Sequence, residues 1–265
     1  MDSVTAHDYA WIRSSSLFRY ALERGYGLTL ARDVTPGAVL RAMGAEPQGR
    51  CTGADALIER EEDRLDATDY GDDSFIVGAF TVPGTGGDWT LVLHFDGGVG
   101  MRPDFLETLS TGGRTVTHSS NGGKPMHLFS WYEDGGLRTA FEWPTTRDGS
   151  TPDDLVSVMR EVGFDLSEGA TSPVTDTKAA VLALAERLTG VRVTEELLKD
   201  AEYELGYVPE VPADDWTGIV IDITDAHGER LYKEVTREEV ENAMTRARAE
   251  AEAPTVIRGP SSPTS

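Results

Sequence analysis

The stretch Arg114–Trp143, RTVTHSSNGGKPMHLFSWYEDGGLRTAFEW, decides the fold class. It contains three runs rich in aromatic and β-branched residues: Arg114–His118, His127–Tyr132 and Leu137–Trp143. Such runs fit a pleated, half-buried surface and read as strands. Between them stand Asn121-Gly122-Gly123 and Asp134-Gly135-Gly136. Asn-Gly and Asp-Gly pairs supply the positive φ angles that tight hairpins need. Connections this short leave no room for a crossover, so the strands run antiparallel. In the last run Leu137, Thr139, Phe141 and Trp143 share one parity, while Arg138 and Glu142 take the other. That pattern predicts one buried face and one that is at least partly wet.

The same signals extend in both directions. Ser74–Val82 and Trp89–Phe95 read as strands, bounded by Pro83–Gly87 and Asp96-Gly97-Gly98, and Tyr26–Arg32 alternates apolar and polar positions. Helices are expected at Asp8–Arg13 and, capped by Ser14–Ser16, at Leu17–Arg24. Thr35-Pro36 opens a helix over Gly37–Met43, and Thr52 with Asp55 opens one through Leu65. Thr151-Pro152-Asp153-Asp154 starts a helix that runs to Val162 and stops at Gly163. Residues 168–176 have linker composition. Beyond them come helices at Thr177–Leu188 and Thr194–Tyr203, then strands at Trp216–Thr224 and Leu231–Val235. Thr236 and Glu239 form a capping-box pattern before a last helix to about Ala253.

The expected fold is therefore α+β. A twisted antiparallel sheet of about five or six strands carries helices on one face, and a smaller helical and β/α part follows. By residue number this gives a sheet domain at 1–167, a linker at 168–176, the C-terminal part at 177–253 and a disordered tail at 254–265.

Composition narrows the function. Hydrophobic residues make up 39 % of the chain, below the globular average yet well above the disordered regime. Twenty-four Lys and Arg face 46 Asp and Glu, a net charge of −22. A surface of that sign repels phosphate backbones and anionic lipids, so neither nucleic acid nor a membrane is an expected partner. A protein with a basic surface is. A single cysteine, Cys51, can form no intramolecular disulfide. The N-terminal residues lack the basic and apolar runs of a signal peptide, and no stretch approaches 18 uninterrupted apolar residues. These features point to a cytoplasmic protein.

Several blocks occur in a fixed order: Tyr9-Ala10-Trp11, Leu28–Arg32, Val39–Ala45, Gly87–Leu91, Arg160–Leu166 and Ala185–Gly190. With them the chain resembles an actinobacterial family known only as a domain of unknown function, over about residues 8 to 205. The resemblance implies no activity, cofactor or catalytic residue. The part after Trp216 falls outside it.

Three histidines on expected strands, His94, His118 and His127, form a weak metal candidate, since three imidazoles and a water make an open zinc site. The parities of His94 and His118 permit a meeting, and that of His127 follows Phe129 and Trp131. No carboxylate stands near enough in sequence to orient them, and no cofactor is expected. The acidic run Glu59, Glu61, Glu62, Asp63, Asp66, Asp69, Asp72 and Asp73 lacks the alternation and central Gly of a calcium loop. It reads as a solvated or partner-contacting face, with Glu59, Glu61, Glu62, Asp63, Asp66 and Asp69 as its contact residues. Gly84–Gly87 and Gly122-Gly123-Lys124 lie between strands and lack the hydroxyl of a phosphate loop. There is no Gly-x-Ser-x-Gly elbow, and Cys51 precedes a helix whose dipole would lower its pKa. The sequence thus predicts a non-enzymatic acidic module, inhibitor-like or immunity-like, that engages a basic protein. The alternatives are a small-ligand or hydrolase site on the sheet, and a structural subunit docked through its terminal helix.

Overall fold

The computed structural model describes residues 4–68, 72–95, 102–121, 127–167, 174–210, 218–224 and 230–239, with 242, 243, 245 and 246. The chain forms two compact units, Met1–Val211 and Pro212–Ser265.

The first unit opens with a 3-10 helix, Ala6–Arg13, and α1, Ser16–Arg24. Then come β1 (Tyr26–Arg32), α2 (Pro36–Ala42), β2 (Glu46–Thr52), α3 (Ala54–Ala67), β3 (Phe75–Gly84) and β4 (Gly87–His94). The chain continues through α4 (Pro103–Leu109), β5 (Arg114–Ser120), β6 (His127–Glu133), β7 (Gly136–Phe141) and the two-residue β8 (Arg147–Asp148). It closes with α5 (Val156–Val162), α6 (Val174–Thr189), α7 (Glu195–Asp200) and β9 (Glu202–Val208).

Local chemistry accounts for many of these boundaries. Ser15 accepts the Phe18 N–H at 3.2 Å to start α1. Thr35 accepts that of Ala38 at 3.3 Å with Pro36 at the first helical position, and Thr194 accepts that of Leu197 at 3.1 Å. Asp134 and Gly135 both have positive φ, as the hairpin between β6 and β7 requires. At α3 the cap is Gly53 rather than a Thr52 or Asp55 side chain, and α5 starts only at Val156, after a turn.

The strands form one sheet in the order β2-β9-β3-β4-β1-β5-β6-β7-β8, and each neighbouring pair is antiparallel. The α+β class is as expected, and among the described residues this sheet has nine strands rather than five or six. The extra width comes from β2, β8 and β9. β2 is an exposed edge that carries Pro47, a left-handed Gly49 and a bulge between Pro47 and Arg50, which together blunt strand addition. β9 lies where the sequence predicts the end of a helix at Tyr203: the helix stops at Asp200 and the alternation Tyr203, Leu205 against Glu202, Glu204 becomes a strand.

Two cores lie on opposite faces of the sheet. The larger gathers Tyr9, Phe18, Leu57, Met159 and Leu182 from the helices over Leu30, Leu91, Val116 and Phe129. The smaller lies under α2 and α4, where Val39, Leu40, Leu106 and Leu109 meet Ala31, Ala79 and Val92. Helices on one face only are the sequence expectation; the structure has them on both. The parity of Arg138 and Glu142 predicts a partly wet face; the second face of the sheet presents Thr29, Thr90, Thr115 and Thr117. All four are buried, and Thr29 and Thr117 hydrogen-bond each other at 2.7 Å.

The expected division at 168–176 is likewise replaced. β9 sits between β2 and β3, and Ala179–Ala185 of α6 are buried in the larger core, so the first unit runs on to Val211. In the second unit β10 (Gly218–Thr224) pairs antiparallel with β11 (Arg230–Thr236). Thr236 and Glu239 close the anticipated capping box: Glu239 Oε2 accepts the Thr236 N–H at 2.8 Å, and Thr236 Oγ1 accepts the Glu239 N–H at 3.3 Å. Most of the expected terminal helix, and the tail at 254–265, lie outside the described residues.

Candidate functional site

The histidine trio is not assembled. His94 faces the smaller core. It stands opposite Gly27 on β1 and Val77 on β3, and its ring lies 4.9 Å from that of Phe75. A Cβ at residue 27 would collide with the imidazole, so Gly27 is the residue that makes room for it. His118 has the parity of Val116 and faces the larger core. The two rings therefore point to opposite faces, because adjacent residues across one sheet share a face only in matching register. His127 pairs with Ser120 in register, and its side chain lies outside the described residues. Among the described residues no group of three or more His, Cys, Asp or Glu is placed to hold a metal ion.

What His118 does join is a buried polar cluster. Its Nδ1 is 2.8 Å from the Tyr26 hydroxyl. Lys178, from the first turns of α6, enters the same region with none of its surface exposed. It donates from Nζ to Ser120 Oγ at 2.6 Å, and Nζ stands 5.0 Å from the Tyr26 ring centroid. Four elements of chemistry thus meet: an amine, a hydroxyl, a phenol and an imidazole. Burial pulls the Lys178 ammonium down to about 7 and pushes the Tyr26 phenol up, because a low-dielectric surrounding disfavours the charged form of each. Sequence reasoning passed over Lys178. Its signal was position: Val174, Lys178, Val181, Leu182 and Ala185 fall on one helical stripe, and a lysine on an apolar stripe is anomalous.

The acidic run divides in two. Glu59, Glu62, Asp63 and Asp66 are exposed on α3, as is Asp55 in its first turn. Glu61 is not a contact residue. It is 1 % exposed, paired with Arg64 at 2.7 Å, and it accepts the N–H of Ile76 at 2.8 Å, just beyond the last β3–β4 pair. Helical spacing sets it a turn from Leu57, which is also buried, so it lies on the inner face. Asp72 accepts the Ser74 N–H at 2.7 Å, Asp73 is exposed, and Asp69 lies outside the described residues. Cys51, half-buried on β2, has its thiol pushed up chiefly by burial, against the lowering that a helix start would give. Gly84–Gly87 forms the β3–β4 hairpin, as expected, and Gly122–Lys124 lies outside the described residues.

A cleft of about 520 Å³ opens between β3 and α7. β3 stays paired with β4 through Gly84↔Gly87, whereas its pairing with β9 ends at Ala79↔Glu204, so Phe80–Pro83 borders open space. Phe80, Val82, Pro83 and Leu197 supply an apolar lining, and Glu196, Asp200 and Glu202 stand around it. The nearby cations are already engaged: Lys199 lies 2.7 Å from Glu195, and Arg50 lies 3.1 Å from Glu202. Asp55 and Glu196 both help to hold the Lys199 ammonium above its ordinary value, after the larger effect of its Glu195 hydrogen bond. Asp55, at the exposed start of α3, thus stands near Lys199 at the side of the cleft.

The fold and these sites define an α+β protein built on one wide antiparallel sheet, with a net charge of −22 and a buried amine cluster at Lys178. Residues 2–213 match the model of a family of unknown function, DUF6461, and the chain belongs to that family. The match ends before β10, so the second unit's strand pair lies outside it. No curated protein and no solved structure matches the chain. No helix among the described residues is long and apolar enough to cross a membrane.

Proposed function

We propose that this protein is a non-enzymatic acidic binding module of the cytoplasm, inhibitor-like or immunity-like, that engages a protein with a basic surface. The observation that carries the reading is the exposed face of α3, where Asp55, Glu59, Glu62, Asp63 and Asp66 project from a helix anchored by Leu57 and Glu61. Anchoring matters because charges held on a rigid element steer an approaching partner without first being ordered. The net charge of −22 acts in the same direction over a longer range. The test is a native pull-down at low salt with mass spectrometry, repeated with Glu59, Glu62, Asp63 and Asp66 reversed to Lys. A basic protein retained by the parent chain and lost by the variant is the expected result. No basic protein in either eluate overturns it.

A second reading, a small-ligand or hydrolytic site on the sheet, is favoured by the Lys178–Ser120 contact. An unprotonated Lys178 would accept the Ser120 proton as the hydroxyl attacks a carbonyl or phosphoryl centre, and the ammonium so formed would pass that proton to the group that departs from the centre. Ser120 is only 1 % exposed, which places this reading second. A fluorophosphonate probe that labels Ser120 in the parent chain and not in Lys178→Met would promote it; an unlabelled parent chain would retire it.

A further inference from the structure

We infer that the cleft between β3 and α7 is the docking site for an extended basic peptide segment of the partner, one that alternates cationic and apolar side chains. The inference rests on the acidic binding reading and adds a second contact for the same partner, apart from the α3 face.

Three features of the cleft select this occupant. The lining is apolar, and about 520 Å³ lies within the range of roughly 300–1,000 Å³ typical of binding clefts. The border is a strand, Phe80–Pro83, released from β9 while still held by β4, so an extended chain can run beside it in the manner of an added strand. Successive side chains of such a chain point to opposite sides, so apolar residues can face Val82 and Leu197 while the residues between them face outward. Long cationic side chains of the same segment reach Glu196 and Asp200, which are exposed at the border of the cleft, and Lys199 is already taken up by Glu195. An anionic or purely polar segment finds no complement there. The sheet edge at β2 is a poorer site for strand addition, since the bulge between Pro47 and Arg50 interrupts its pairing surface.

The probe is a fluorescein-labelled RLRLRL peptide, titrated into the full chain by anisotropy at low salt, with RGRGRG and ELELEL as comparisons. Binding of RLRLRL, with RGRGRG weaker by at least about tenfold and ELELEL absent, is expected. Glu196→Lys with Asp200→Lys should lose at least about tenfold, whereas Glu59→Lys with Glu62→Lys should lose no more than about threefold. Thr81→Arg, at an exposed position on the cleft wall, should lose the peptide without any change in α7. Equal loss from the two double reversals, or equal binding of RGRGRG, overturns the cleft as the site. If the partner pull-down succeeds and survives Thr81→Arg, the cleft inference fails while the acidic reading stands; if no basic protein is retained at all, the reading itself fails.

Discussion

Helix α3 carries Glu59, Glu62, Asp63 and Asp66 into water, while α6 carries Lys178 into the core. The two helices handle charge in opposite ways. On α3 these four carboxylates keep their hydration, so their charges are thermodynamically cheap and chemically available to a partner. On α6 the single amine gives up its hydration and is compensated by Ser120 Oγ and the face of the Tyr26 ring. Many charges outside can be kept for long-range attraction; one charge inside needs a local reason.

The contrast is sharpest within α3 itself, where Glu61 and Glu62 are neighbours in sequence and opposites in environment. Glu61→Ala removes the partner of Arg64, whose side chain is 8 % exposed, and leaves the Ile76 N–H without its acceptor. Loss of one member of a buried pair costs about 3–5 kcal/mol. Glu62→Ala should stay within about 0.5 kcal/mol of the parent. Urea denaturation followed by tryptophan fluorescence reads both. Similar midpoints for the two variants would erase the distinction between the buried and solvated halves of the run.

Lys178 gives the next largest effect, and with the opposite sign. Its folded value, about 7, lies below the 10.5 of the free side chain. Below about pH 7 both states carry the proton and the folded state bears the full burial cost. Between about 7 and 10.5 the unfolded chain binds more protons, so stability rises with pH, by on the order of 1 kcal/mol per pH unit at most. Lys178→Met keeps the volume and removes the charge. It should stabilise the chain by about 1–4 kcal/mol at neutral pH and flatten that rise. Denaturant midpoints measured from pH 6 to pH 10 test this; a variant as pH-dependent as the parent places the titrating group elsewhere.

These two positions also mark where the sequence was legible and where it was not. β1 and the hairpins around Asp134-Gly135 could be read because alternation and turn chemistry are local properties. β9 could not, since what makes Glu202–Val208 a strand is the gap between β2 and β3 that it fills, a pairing partner more than a hundred residues away. Glu61 resembles its neighbours in composition; only the helical phase that puts it a turn from Leu57 separates it from them. Parity within each strand was right for His94 and His118, but register between strands decides the face, and β1 places Gly27 against His94 and Leu28 against His118. The cleft was invisible because it arises where two paired strands part, after Ala79↔Glu204.

Gly27 offers a smaller, sterically defined test of that register. Gly27→Ala drives a methyl group into the His94 ring and should cost about 1–3 kcal/mol through overpacking. In a His94→Ala background the same substitution should cost under about 1 kcal/mol, since the space is then free. Additive costs in the double variant would mean that the two residues do not meet across β1 and β4.

The smallest effect lies at the rim of the cleft and links stability to binding. Arg50 is 62 % exposed and pairs with Glu202 at 3.1 Å and Glu204 at 3.4 Å. Exposed pairs of this kind are worth about 0–1 kcal/mol, so Arg50→Ala should shift the urea midpoint only slightly. The same change releases Glu202, which borders the cleft, for an incoming cation. RLRLRL should then bind about two- to threefold more tightly at low salt, and the gain should vanish near 0.5 M salt, where screening reaches only a few ångströms. Weaker binding after Arg50→Ala would mean that the arginine itself holds the peptide, and that the cleft recognises something other than positive charge.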